Sequence, residues 1–440
     1  MKARLISTVV TVLAVSATAA CGGGGTSTSS TSGSSKTLTY WASNQGSSLQ
    51  ADQAVLGPEL AKFQKQTGIK VNLQVIGWPD LQTKILGATT SGQGPDVLNI
   101  GNTWAASLQA TGAFLPFDSK ALAAIGGQDK FVTASFATGG VVGKPVTSVP
   151  LYGLVYGLYY NKKMFADAGL QPPTTWQELQ ADAKKLTIPA KNQYGMVIEG
   201  GSYTESVHFA FIFGLQNGGQ PFDASGKPTF TTPGMVSGVK QYVDLVGKDK
   251  VANPSNVQYK NGTEAPADFA NGKAAMLMNQ NNADATLQAD GMKSSAYGVV
   301  AIPAPSPLPA GGKDIASHVA GINLSIFKNT KNQAAALQFV KFMTSPAEQA
   351  ILDKPFAALP VVNGGVVDFT NNKAEATAFS AVLATKAVPL PLIAAESEFE
   401  TNVGNAVNGL LAQAATGTTV TTANIKAALQ AAQDKMAAAG

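Results

Sequence analysis

From Ile69 to Val75 the residues Ile69, Val71, Leu73 and Val75 alternate strictly with Lys70, Asn72 and Gln74, a period that only a half-buried extended strand possesses. The stretch before it keeps a different period. Leu56, Leu60 and Phe63 fall at helical spacing within 53–67, Gly68 stands where a helix stops, and 38–41 reads as a short strand. A further helix over 80–90, the turn Gly94-Pro95-Asp96 and the apolar run 97–100 extend the series. Strands alternating with helices at this spacing dictate an α/β fold with a largely parallel sheet and helices on its faces.

The chain has 440 residues, 45% of them hydrophobic, enough for two domain cores, because one core rarely grows beyond about 250 to 300 residues. Only 13% are charged, which excludes a chain disordered throughout, since disorder needs high charge and few apolar residues. Arg4 is the only arginine. Beyond the first few residues there is therefore no guanidinium to make bidentate bonds to phosphate, sulfate or carboxylate. The lysines are scattered rather than striped, so nucleic acid is not expected as a partner.

The N-terminus reads as an export signal over 1–20: basic Met1-Lys2-Ala3-Arg4, an apolar stretch 5–15, then small residues. It is too short for the ~20 apolar residues of a spanning helix. Cys21, the only cysteine, follows Ala19-Ala20 and precedes four glycines. This arrangement resembles a bacterial lipobox, which implies cleavage before Cys21 and lipidation of its thiol, anchoring the exported protein to the outer face of the cell membrane. Thr18 stands where that family prefers Leu, and Ala17-Thr18-Ala19 equally fits an ordinary A-x-A cleavage site. With no second cysteine there is no intrachain disulfide. Residues 22–35 are Gly, Ser and Thr only, a flexible tether of roughly 20 Å, so 21–36 is read as lipidated cysteine plus spacer.

Further along, 149–160 is strongly apolar and aromatic, and Thr175-Trp176-Gln177-Glu178 has the form of a capping box opening a helix toward Leu186. Ser345, Pro346 and Glu348 occupy the cap, first and third positions of another helix. The Ala-rich stretch 422–439 is read as one helix.

Seven stretches, in order, resemble the bacterial extracellular solute-binding proteins of the carbohydrate ABC importers, the family that includes the maltose-binding protein. They are FQKQTGIKVNLQV at 63–75, SGQGPDV at 91–97, YYNKKM at 159–164, PTTWQEL at 173–179, FANGKAAMLM at 269–278, YGVVAIP at 297–303 and KFMTSPAE at 341–348, with Lys354-Pro355 beyond. The resemblance implies a two-lobed periplasmic-binding-protein type II fold with an interlobe hinge and a ligand cleft. The crossovers are expected near 148–151 and 299–303, which gives 37–148 and 304–350 as lobe 1 and 149–303 and 351–440 as lobe 2. It further implies a monomeric receptor that delivers a small neutral carbohydrate to ABC permease subunits. No Walker-type Gly-x-x-x-x-Gly-Lys-Ser/Thr occurs, so ATP hydrolysis is expected of a partner.

A sugar offers hydroxyl edges and apolar faces, so its site needs amides, carboxylates or hydroxyls and an aromatic plane. By the resemblance, Asn44 and Gln45 follow the first strand where maltose-binding relatives carry a charged pair; as neutral amides they serve equally well as turn residues. Asn102, Thr103 and Trp104 take the cleft-facing loop after 97–100, with Trp104 as stacking platform and Trp78 as a second one. Trp41 and Trp176 read as packing residues. Tyr152 and Tyr156 lie at the first crossover. In lobe 2, Tyr203 and Glu205 match an acidic and aromatic ligand loop, and Asn279, Asn281 and Asn282 follow a matched strand where relatives often have Gly-Pro-Trp. His318 and Gly321 precede the strand 322–327, and Glu396 and Glu398 fall where the C-terminal part reaches the cleft. A lone histidine also serves structure alone, and either glutamate reads equally as a solvated helix residue.

An enzyme is the competing class. The chain has two histidines, His208 and His318, no Gly-x-Ser-x-Gly and no His-Glu-x-x-His, and no catalytic residue, metal or cofactor is expected. A glycosidase-like carboxylate pair is open in principle, but none is marked out. A surface scaffold with a vestigial cleft is the third class. Among solutes, the missing arginines favour neutral mono- or oligosaccharides, then polyols or glycosides.

Overall fold

A computed structural model describes residues 37–369 and 372–439. The expected export signal, Cys21 and the tether lie outside the described residues. In chain order the strands of the first half are β1 (Thr37–Ser43), β2 (Lys70–Ile76), β3 (Val97–Gly101), β4 (Ser148–Leu154), β5 (Tyr156–Asn161) and β6 (Tyr194–Val197). The second half adds β7 (Ala274–Gln280), β8 (Tyr297–Val300), β9 (Ser317–His318), β10 (Ala320–Ile326) and β11 (Ala387–Val388).

The periods read from the sequence produce the first sheet, whose order is β2-β1-β3-β10-β4. β1, β2 and β3 run parallel, as the strand and helix alternation requires, while β10 lies antiparallel between β3 and β4. The connecting helix Leu49–Thr67 starts before residue 53 because the Ser48 side chain accepts from the Ala51 N–H, and it ends at Gly68, whose φ of 71° a glycine adopts without strain. The second sheet, β6-β7-β5-β8, departs from the parallel expectation. Only β6 and β7 are parallel, and β5 is antiparallel to both β7 and β8.

Each sheet has its own apolar core. Leu38, Tyr40, Phe63, Leu324 and Phe339 belong to the first, and Leu158, Met276, Phe213, Tyr242 and Phe399 to the second. The C-terminal helix Thr422–Ala439 packs Ile425, Leu429 and Ala432 on the second core. The Thr175 capping box is complete. The Ser345 box is half made: its hydroxyl accepts from the Glu348 N–H, but the Glu348 carboxylate reaches Lys62 at 2.8 Å instead. No helix among the described residues is long and apolar enough to cross a membrane.

The chain passes between the cores three times, and the crossings differ from those expected. The first falls at Val155, because β4 stays in the first sheet by pairing with β10 as far as Leu154. The second falls at 317–319 rather than 299–303, because Ile302, Ile315 and Ala316 remain in the second core. The third begins at Phe356, where Phe356 and Ala358 face the first core while Ala357 and Leu359 face the second.

One buried amide ties two of these crossings. Asn281 Oδ1 accepts from the Val155 N–H at 2.7 Å, and its Nδ2 donates to the carbonyls of Ala357 at 2.6 Å and Gly153 at 3.3 Å. Gly153 and Leu359 exchange backbone bonds at 2.9 and 2.8 Å, and a Cβ on Gly153 would stand 2.7 Å from the Leu359 oxygen, so only glycine permits the approach. Asn281→Ala would strand a buried N–H and a buried carbonyl, each costing roughly 1 to 3 kcal/mol. Denaturant unfolding should show a loss of about 2 to 4 kcal/mol with far-UV circular dichroism unchanged; a loss below about 0.5 kcal/mol would refute this role for the hinge amide.

Candidate functional site

Because β1, β2 and β3 are parallel, the loops at their carboxyl ends share one edge of the first lobe, the position from which open α/β sheets hold ligands. The loop after β1 is shaped by Asp52, whose carboxylate accepts from the N–H groups of Gln45 at 2.6 Å and Gly46 at 2.7 Å and from the Asn44 amide at 3.1 Å. Gln45 Nε2 then donates to Ser43 Oγ and Asn44 O, which leaves its buried Oε1 without a protein partner. Trp78 opens the helix after β2 and donates its Nε1–H to Asn44 O at 2.7 Å. Trp104 ends the single turn Asn102–Trp104 after β3 and meets Trp78 edge-on, with centroids 5.7 Å apart.

The opposing wall comes from the second lobe. Its helices Tyr203–Gln216 and Glu396–Ala415 approach so closely that a Cβ on Gly404 would lie 2.1 Å from the Tyr203 carbonyl oxygen. That approach sets Glu400 against His208, with Glu400 Oε1 at 3.1 Å from His208 Nε2. His208 Nδ1 is 2.8 Å from the Tyr156 hydroxyl, which donates to Glu205 Oε1 at 2.7 Å. Glu400 Oε2 accepts the Trp104 indole N–H at 2.7 Å across the lobe boundary. A continuous chain, Glu205–Tyr156–His208–Glu400–Trp104, thus links the two walls. Burial pushes the Glu400 carboxyl up, but the hydrogen bond and charge of His208 and the Thr103 hydroxyl hold it below its ordinary value.

Between the walls lies a cavity of about 90 Å³. Of the expected residues, Gln45, Trp78, Asn102, Thr103, Trp104, Glu205, Asn279, Asn282, His318 and Gly321 line it. His318 is 1% exposed, its ring centroid is 4.2 Å from that of His208, and both its ring nitrogens lack protein partners. Burial, then the neighbouring His208, lowers its pKa well below the usual imidazole value. It is therefore a neutral ring with one donor and one acceptor nitrogen.

The other expected residues stand behind the cavity or away from it. Tyr152 sits two residues further from the hinge than Leu154, and its ring packs edge-on against Phe356 in the first core. Tyr156 is fully buried and supports Glu205 and His208 from behind. Asn281 is the hinge amide, and Asn44 turns its side chain to Gly46 O and Asp52. Tyr203 donates to Gln82 Oε1 of the first lobe at 2.6 Å. Glu396 is buried beside Glu400, whereas Glu398 is exposed, since two residues are about 200° around a helix. Trp41 carries Lys84 over its ring at 4.4 Å, and Trp176 packs on Phe213.

Sequence reasoning missed Glu199, His208 and Lys260 in the lining and Glu400 behind it. Glu199 had a readable signal, an acid ending the apolar run Met196–Ile198. Glu400 had one too, because Glu396 and Glu400 share a helix face at i,i+4. Among the described residues no group of three His, Cys, Asp or Glu side chains is placed to hold a metal ion.

A sequence model of the bacterial extracellular solute-binding protein family matches residues 43–350. A binding protein of Brucella abortus is 26% identical over 324 residues, covering 72% of this chain and 74% of that protein. The diacetylchitobiose binding protein of Streptomyces coelicolor is 26% identical over 343 residues, covering 74% and 73%. Among solved structures, a solute-binding protein of Thermotoga lettingae bound with α-D-tagatose superposes with a TM-score of 0.78 at 21% identity, covering 91% of this chain and all of that one.

The cavity's acids carry a pH signature. Burial, then the charge of Glu205, pushes the Glu199 carboxyl from its ordinary 4.5 up to about 8. The folded form therefore keeps a proton that the unfolded chain releases between those values, and stability attributable to this group falls as pH rises through that window, then levels off. Glu199→Gln should remove that slope, gaining on the order of 3 kcal/mol relative to wild type at pH 8 compared with pH 4.5. Melting curves of the two proteins that stay parallel from pH 5 to 8 would contradict the assignment.

Proposed function

The chain belongs to the bacterial extracellular solute-binding proteins, and from that premise we propose that it is the solute receptor of an ABC importer, closing two lobes over a neutral sugar or related polyhydroxylated molecule and delivering it to permease subunits. The observation that carries this reading is the chemistry of the interlobe cavity. Trp104 and Trp78 offer apolar ring surface, while the Gln45 Oε1 and the His318 nitrogens are buried and without protein partners. A buried polar atom left unpaired is costly, and a solute hydroxyl satisfies it in either sense, as donor to the glutamine or as donor or acceptor to the imidazole. No arginine stands in the described residues to clamp an anion, and Lys260, the one lysine in the lining, is at its exposed rim.

The sugar-binding relatives support the same solute class, since the diacetylchitobiose binding protein matches over most of both chains. The chain binds its solute rather than transforming it. Residues 1–20 fit export, and Cys21 with the Gly, Ser and Thr spacer fits a lipid anchor at the outer face of the cell membrane, beside the permease.

A melting screen of sugars, polyols, amino acids and inorganic anions tests the reading. A true ligand at a hundredfold excess over Kd should stabilise the protein by about 2.7 kcal/mol, and hits confined to anions would reject a neutral solute. Trp104→Ala should weaken binding of the best hit about tenfold or more, read by calorimetric titration, with the first lobe, which carries it, still folded. Unaltered affinity would remove Trp104 from the site.

A further inference from the structure

The cavity is bounded more tightly than an extended oligosaccharide chain allows. Three protein bridges span the lobes around it: Asn282 Nδ2 donates to Gln45 O at 3.3 Å, the Tyr203 hydroxyl donates to Gln82 Oε1 at 2.6 Å, and the Trp104 N–H donates to Glu400 at 2.7 Å. Beyond Trp104 the Ser397 N–H donates to Ser107 Oγ at 2.9 Å, a fourth link. The floor is the hinge itself, where Leu154, His318 and Ala320 lie on the crossing strands. Solvent reaches the cavity past the exposed Lys260 and Gly262 of the second lobe. Its volume is about 90 Å³, and one buried water needs roughly 10 to 15 Å³ of such space. Room for about six to nine waters matches the bulk of one sugar ring and falls short of two.

We propose, resting on the reading above, that the solute is a single sugar ring or an open-chain polyol of that size, enclosed whole, and that the interlobe bridges set this length limit. Away from the opening at Lys260 and Gly262, a second ring has no exit that leaves the Gln45–Asn282, Gln82–Tyr203 and Trp104–Glu400 bridges intact, so a longer ligand either loses those contacts on closure or leaves its second ring outside at the exposed rim. The unpartnered Gln45 Oε1 and His318 nitrogens fall within one ring's reach of the carboxyls of Glu199 and Glu205, because all four side chains line the same small space.

The experiment is calorimetric titration of the full chain with matched sets: D-glucose, maltose and maltotriose; D-galactose and lactose; N-acetylglucosamine and diacetylchitobiose; and ribitol and D-glucitol. At least one monosaccharide or alditol should bind ten times or more tighter than any disaccharide or trisaccharide of the panel. Gln82→Ala, on a partly exposed helix surface, should shrink that ratio several-fold by releasing the Tyr203 bridge, with single-ring affinity changing less. A disaccharide or trisaccharide binding as tightly as the best single ring overturns the length limit and leaves the sugar-receptor reading standing. No binding to any sugar or polyol in the panel overturns that reading, and the length limit with it.

Discussion

The molecule depends on a buried amide doing what neither a hydroxyl nor a carboxylate can. Asn281 presents an acceptor to the Val155 N–H and donors to the carbonyls of Ala357 and Gly153 at one point, so two crossings are joined without any net charge entering the interior. Ser317 extends the knot to the remaining crossing, accepting from the Tyr156 N–H at 2.9 Å and donating to His318 O at 2.5 Å. The strands tied in this way form the cavity floor. These bonds tie the few crossing residues together, so that the floor keeps its shape.

Around that floor the chain solves a charge problem without arginine. Burial raises the pKa of Glu199, Glu205 and Glu396, for Glu199 to about 8, where the protonated carboxyl acts as a neutral donor and acceptor. Glu400 alone among these acids is held down, by His208 and the surrounding donors. The lining is therefore polar without being strongly charged, suited to a solute that exchanges hydroxyl hydrogen bonds and poorly suited to an anion, which would meet countercharge only at the rim. The same design explains the tryptophans, whose apolar surface complements the C–H faces that a polyhydroxylated ring turns outward.

Much of the local structure was legible because its periods are local. The alternation at Ile69–Val75, the spacing of Leu56, Leu60 and Phe63, and the Thr175 box each rest on neighbours a few residues away, and strand and helix stand where those signals put them. The crossings were not legible, since whether β4 ends at 148 or 154 is decided by β10, more than 150 residues on. The second sheet's mixed directions likewise come from distant partners. In the site, strand-end loops placed Gln45, Trp78 and Asn102–Trp104 at the cavity, because a parallel sheet fixes where its carboxyl ends lie. Tyr152 and Asn281 went elsewhere, because one residue along a strand, or one bond to another crossing, redirects a side chain without changing the local pattern. Glu400 left only its i,i+4 pairing with Glu396 as a local signal, because its partners His208 and Trp104 are 192 and 296 residues away.

That long-range partnership also says how a solute is sensed. Glu205 faces the cavity at one end of the hydrogen-bonded chain and Trp104 faces it at the other, with Tyr156, His208 and Glu400 between them. A molecule resting on both residues acts on a single connected unit that spans the lobes. The direct bridges between lobes are few and mostly part-exposed, each contributing about 0.5 to 1.5 kcal/mol before the entropy of ordering is subtracted. Moving a two-state balance from 1:99 to 99:1 takes about 5.5 kcal/mol, more than the four bridges supply at the middle of that range, about 4 kcal/mol before entropy is subtracted. In a receptor of this kind, a solute that touches both walls favours the closed arrangement by the difference in its affinity for the two states.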